Sequence, residues 1–128
     1  KAGGVIGVEL NREAVRDAVH NAKLNQIKNA RFYCNDAGRF LTQMAAQGEK
    51  VNVVMMDPPR SGSTEEFMRA AAKTGAEKIV YISCNPETLA RDLRFMKKLG
   101  YKAVEGVGVD MFCGTEHCEV CVRLERFL

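Results

Sequence analysis

The chain has 128 residues, of which 46% are hydrophobic and 27% charged, with a formal net charge of +3. That size holds one domain with a genuine core, and the composition excludes a disordered or fibrous protein. The charge permits an RNA partner but is too small to argue for one by counterion release. No apolar run approaches a membrane span and no signal peptide precedes the first strand-like segment, so no membrane partner is expected. The five cysteines, Cys34, Cys84, Cys113, Cys118 and Cys121, form an odd, unevenly spaced set. This pattern predicts reduced thiols in a cytoplasmic protein rather than a disulfide framework.

In chain order, Val5 to Glu9 reads as a buried strand ending on an acid. A helix follows from about Asn11, its N-cap, with Ala14, Val15, Ala18, Ala22 and Leu24 as the apolar stripe and Glu13 in the first turn. Arg31 to Asn35 is a second strand ending at Asp36, and a short helix carries Phe40, Leu41 and Met44. Val51 to Met56 is apolar but for Asn52, which predicts a strand covered on both faces, and it ends at Asp57. A helix over about Thr64 to Lys73 leads to a buried strand, Lys78 to Ser83, which ends at Cys84. Asn85 then caps a helix with Pro86 at its first position, running to Leu99 and stopping at Gly100. Two last strands, roughly Ala103 to Val109 and His117 to Arg126, complete the pattern. The alternation predicts a mostly parallel, three-layer α/β sheet. The opening Lys1-Ala2-Gly3-Gly4 resembles the tail of a helix feeding the first strand. A glycine-rich nucleoside loop belongs one strand earlier, so the reading expects a truncated sheet without its central strand.

Ligands in open α/β sheets bind beyond the carboxyl ends of the parallel strands. Glu9, Asp36, Asp57 and Cys84 each fall at such an end. Singly, an acid there is as readily a turn or cap residue; four on four strands point to one shared site. Glu9 suits the two hydroxyls of a ribose, and Asp36 an adenine amino group. In Asp57-Pro58-Pro59-Arg60 the two prolines fix φ and remove two donors, which holds the carboxylate stiffly toward a planar ligand; the bland reading is a rigid turn. Cys84 lies where a buried strand meets a helix start, and the free N–H groups there favour a thiolate.

Cys113, His117, Cys118 and Cys121 invite a zinc reading. Strand alternation argues against it, because Cys118, Val120, Val122 and Leu124 share one face while His117, Glu119, Cys121 and Arg123 share the other. No metal is expected, and Glu119 is expected on an inward face beside His117.

Three segments then carry a resemblance: Asp57-Pro58-Pro59-Arg60, the run from Ile82-Ser83-Cys84-Asn85-Pro86 to Arg91-Asp92, and Asp110-Met111-Phe112 through His117 and Glu119. Together they resemble the ordered motifs of the S-adenosylmethionine-dependent RNA 5-methyluridine methyltransferases, over nearly the whole chain. The resemblance implies a Rossmann-like class I methyltransferase sheet with an antiparallel C-terminal strand, residues 1–128 being part of that domain. It implies S-adenosylmethionine as cofactor, held by Glu9, Asp36 and Asp57, and an RNA substrate, with ribosomal RNA expected ahead of transfer RNA. Cys84 becomes the nucleophile that adds to carbon 6 of uracil, Glu119 the base that removes the carbon-5 proton, and Asp57 the group on the uracil edge. His117 orients Glu119, contacts RNA or simply packs.

The sequence departs from the family pattern at Cys113-Gly114, where a proline usually follows Asp-Met-Phe. The glycine-rich cofactor strand, the N-terminal RNA-binding region and the cysteine cluster of some members are missing, which predicts a fragment of weak or no activity. Two other readings are an amino-group methyltransferase of a purine base, which needs no cysteine, and a non-catalytic RNA- or nucleotide-binding remnant.

Overall fold

The computed structural model describes residues 2–128. Its elements are β1 (Val5–Glu9), α1 (Arg12–Leu24), β2 (Ala30–Cys34), α2 (Ala37–Ala46), β3 (Val53–Met56), α3 (Glu65–Lys73), β4 (Lys78–Ser83), α4 (Pro86–Lys98), β5 (Tyr101–Val109) and β6 (Glu119–Arg126). Each helix starts on a residue whose side chain accepts orphan N–H groups: Asn11, Asp36, Thr64 and Asn85. α4 ends as expected, with Gly100 at φ +93°.

The strands form two sheets. β1 and β2 pair in parallel, and the second sheet has the order β3-β4-β6-β5. β3 and β4 are parallel, while β6 is antiparallel to both neighbours, β4 and β5. β6 is therefore the single reversed strand of its sheet, the antiparallel C-terminal strand expected from the resemblance.

β1 pairs only with β2, and β3 only with β4, so each keeps one open edge. Val5 and Ile6 of β1 and Val53 and Met55 of β3 are exposed. This exposure leaves one side of each strand pair open. It also corrects the reading of Val51 to Met56 as covered on both faces: only Val54 and Met56 are buried, and Met55 is 69% exposed. On that second face Val53 is exposed as well. The three-layer expectation fails over the second sheet for the same reason, since α3 and α4 pack into one core cluster on one face.

That core joins Met56 (β3), Met68 (α3), Ile79 and Tyr81 (β4), Met96 (α4) and Leu124 (β6). Leu41 of α2 packs against it, whereas α1 and α2 have no fully buried residue. Element ends shift by one or two residues. β2 is Ala30–Cys34 rather than 31–35, β3 starts at Val53, and β5 starts at Tyr101, whose hydroxyl donates to the Ala76 carbonyl at 2.6 Å. β6 starts at Glu119, which leaves His117 and Cys118 in the preceding loop. Ala2 to Gly4 form an irregular bend instead of a helix tail, and Lys1 lies outside the described residues.

Candidate active site

Cys84 sits between the last residue of β4 and the N-cap of α4. The turn around it is closed by Ser83, whose Oγ donates to the Asn85 carbonyl at 2.9 Å and accepts from the Asn85 N–H at 3.1 Å. Asn85 in turn accepts from the Glu87 N–H, so Pro86 at the first helical position costs no hydrogen bond. The thiol is half-buried and free. First-turn N–H groups of a 13-residue helix lie next to it.

Sheet register brings in the second group. β4 and β6 pair as Ile82↔Cys121 and Ser83↔Val120. Cys84 follows Ser83 and Glu119 precedes Val120, so the two residues lie at the same sheet edge, with Glu119 on the face away from the α3/α4 core. Glu119 is half-buried. The expected inward face is therefore the face opposite the main core, because Val122 and Leu124 take the core side.

Asp57 follows β3, the parallel neighbour of β4 through Met56↔Tyr81, and its carboxylate is exposed. The stiff Pro58-Pro59 pair leads into a turn closed by the Gly62 N–H to the Pro59 carbonyl at 2.9 Å. Asp57, Cys84 and Glu119 thus converge from three adjacent strands. Glu9 and Asp36 stand at the ends of the paired strands β1 and β2, and the strand pairing does not join them to the other three. Both already hold their own backbone: Glu9 Oε1 accepts from the Asn11 N–H at 2.8 Å, and Asp36 Oδ1 from the Arg39 N–H at 2.9 Å. Each is exposed and keeps a second carboxylate oxygen for a ligand hydroxyl or amino group.

His117 is not a neighbour of Glu119 along a strand, as expected, but lies in the β5–β6 loop. Its Nδ1 is 3.0 Å from an Arg60 guanidinium nitrogen, and its ring meets Phe112 edge-on at 6.4 Å. A guanidinium only donates, so Nδ1 is the acceptor in this contact. The Asp57 loop is thereby tied to the loop that leads into Glu119. Among the described residues no three His, Cys, Asp or Glu side chains gather as a metal site.

Sequence reasoning missed Asp92. It is 1% exposed, and its carboxylate accepts from the Tyr81 hydroxyl at 2.6 Å, the Ser63 N–H at 2.7 Å and Arg91 Nε at 2.9 Å. Burial first, and then the Asp92 carboxylate, push the Tyr81 phenol well above its ordinary range. The signal was present: an acid sits in the apolar stripe of α4 between Leu89 and Met96.

The tRNA (uracil-5-)-methyltransferase family matches residues 3–127. An uncharacterized RNA methyltransferase of Caldanaerobacter subterraneus is 45% identical over 98% of this chain, which spans 28% of that protein. One of Lactobacillus johnsonii is 48% identical over 95% of the chain, spanning 27% of its length. Among solved structures, the Pyrococcus abyssi tRNA (uracil-54, C5)-methyltransferase in complex with S-adenosyl-L-homocysteine superposes with a TM-score of 0.82. It is 30% identical and is matched over 94% of this chain and 28% of its own. A Pyrococcus horikoshii RNA methyltransferase fold matches over 99% of the chain at 19% identity and TM-score 0.74, a likeness of fold alone. With a family match along nearly its whole length, the chain belongs to the tRNA (uracil-5-)-methyltransferase family.

Proposed function

We propose that this chain is the catalytic part of an S-adenosylmethionine-dependent enzyme that methylates carbon 5 of a uridine in RNA through a covalent Cys84–uracil adduct. The observation that supports the reading is the β3-β4-β6 strand order, in which Asp57, Cys84 and Glu119 fall at one sheet edge. An amino-group methyltransferase has no use for that thiol–carboxylate pair.

Carbon 5 of uracil is too weak a nucleophile to take a methyl group unaided. The Cys84 thiolate forms a bond to carbon 6 and pushes the ring electrons onto the carbonyl, which makes carbon 5 nucleophilic. Asp57 accepts from the ring N–H and fixes the uracil edge. Glu9 and Asp36, with their spare carboxylate oxygens, fit a ribose and an adenine amino group, so they are assigned to the cofactor. When bound, S-adenosylmethionine supplies an electrophilic methyl group on its sulfonium. Glu119 then takes the carbon-5 proton, and the electrons left behind restore the ring double bond and expel the Cys84 thiolate. The uridine must leave its stack to reach Cys84.

RNA is the proposed partner and the cytoplasm the proposed location, where the free thiols stay reduced. The matched family and the Pyrococcus abyssi enzyme are named for transfer RNA, so they lend no support to the ribosomal expectation. Since the chain spans 28% of its Caldanaerobacter relative, the 128 residues alone are expected to turn over slowly or not at all.

The test uses the full-length protein carrying this segment, with transfer and ribosomal RNA containing 5-fluorouridine, whose carbon 5 has no proton to release. A covalent adduct should map to Cys84 and vanish in Cys84→Ala; an adduct that survives the substitution sinks the mechanism. With natural RNA, Glu119→Gln should accumulate a methylated adduct. Unchanged turnover in that variant removes Glu119 from the role of base.

A further inference from the structure

The family motif continues past Cys84 to Asp92, and the proposed chemistry uses nothing beyond the cysteine. One face of α4 explains the rest. Thr88 Oγ1 donates to the Arg60 carbonyl at 3.0 Å, and Asn85 Nδ2 donates to the same oxygen at 3.0 Å. One turn further, Arg91 Nη2 donates to the Ser61 carbonyl at 2.8 Å. Asp92 accepts from the Ser63 N–H at 2.7 Å while Arg91 Nε holds its other oxygen. Three consecutive contacts at 60, 61 and 63 therefore run along one helix face, and the backbone they grip begins at Asp57.

The fit leaves no slack. Gly62 is buried at φ +81°, and a Cβ there would lie 2.5 Å from Arg91 Nη2 and 2.7 Å from Asp92 Oδ2. The far side of the clamp is anchored in β4, because the Tyr81 hydroxyl donates to Asp92 at 2.6 Å. The helix whose first turn flanks Cys84 thus also carries the loop that presents Asp57.

We propose that Thr88, Arg91 and Asp92 are positioning residues that hold the Asp57–Ser63 loop in register with Cys84, so that the uracil edge and the attacking thiol meet in one geometry. The proposal rests on the adduct mechanism above. None of the three touches the base; each acts through a backbone atom of the loop. A shift of about 1 Å in such a register can cost on the order of a hundredfold in rate.

The decisive comparison is between Thr88→Val, which keeps the shape and removes the donor, and Thr88→Ser, which restores it. In the full-length protein, the rate of adduct formation with 5-fluorouridine RNA should fall about tenfold or more in Thr88→Val. It should return close to wild type in Thr88→Ser, with S-adenosylmethionine affinity and Tm little changed in both. Asp92→Asn should show the same kinetic loss with a larger drop in Tm. A wild-type rate in Thr88→Val overturns the clamp while leaving the adduct mechanism intact. So does an equal loss in Thr88→Ser, because that variant keeps the donor. Absence of any adduct in the unsubstituted protein overturns the mechanism and the clamp together.

Discussion

Tyr81 and Asp92 show how much a single buried pair decides. A carboxylate that is 1% exposed persists because hydroxyl, amide and guanidinium donors satisfy it. Removing the hydroxyl in Tyr81→Phe takes one donor from a buried charge and should destabilise the fold by about 1.5–3 kcal/mol in denaturant titration. The same pair sets an alkaline limit. The phenol ionises near its ordinary 10.0 in the unfolded chain and is held higher in the fold by burial and by Asp92. Its contribution is therefore complete below pH of about 10 and is lost as pH rises toward the folded value. Tm should fall above that pH, and the fall should be shallower in Tyr81→Phe. Tyr101, also raised by burial, supplies the slope that remains. An identical slope in the variant would show that Tyr81 does not titrate in this range. At this scale Cys84 and Asp57 were readable as candidates because each follows a strand at the edge where ligands bind, while Glu119 came only with the family resemblance. Asp92 was not, since an acid in a helical stripe reads as solvent-facing until its neighbours are known.

At the scale of elements, capping and termination signals were legible. Asn11, Thr64, Asn85-Pro86 and Gly100 each act as local chemistry requires. Strand ends were less so, because pairing partners set them. β5 begins two residues earlier than its apolar pattern because Tyr101 pairs with Arg126 and is buried. β6 begins two residues later because the β5–β6 loop draws His117 toward Arg60. The rejection of a zinc site rested on strand alternation through Cys118, which lies outside the strand. Its Sγ donates instead to the Val109 and Glu119 carbonyls at 3.8 and 3.4 Å. α4 serves two ends at once: its first turn flanks the nucleophile and its second and third turns hold the Asp57 loop. The Thr88→Val experiment probes that double duty as an element, since the substituted side chain and the affected thiol sit on the same helix.

Over the whole molecule, burial is uneven. Every fully buried hydrophobic residue lies between Val54 and Leu124, whereas β1, α1 and β2 contribute none. Apolar burial stabilises by roughly 25 cal/mol per Å², so the β1–α1–β2 unit is held weakly. In the 128-residue chain its amides should exchange at least about a hundredfold faster than those of β4. Equal protection of β1 and β4 by hydrogen exchange would contradict this. The open edges of β1 and β3, with Val5, Ile6, Val53 and Met55 exposed, are the places where a further strand would add most. The sequence by itself determined the order of elements and the helix starts, because these rest on local periodicity and capping chemistry. Only the tertiary structure decided that Glu119 and Cys84 fall at one sheet edge, that Val53 and Met55 stay exposed, and that Asp92 grips the loop. Those outcomes depend on register and packing between segments up to 35 residues apart in the chain, counting from Cys84 to Glu119. A local pattern carries no information over that distance.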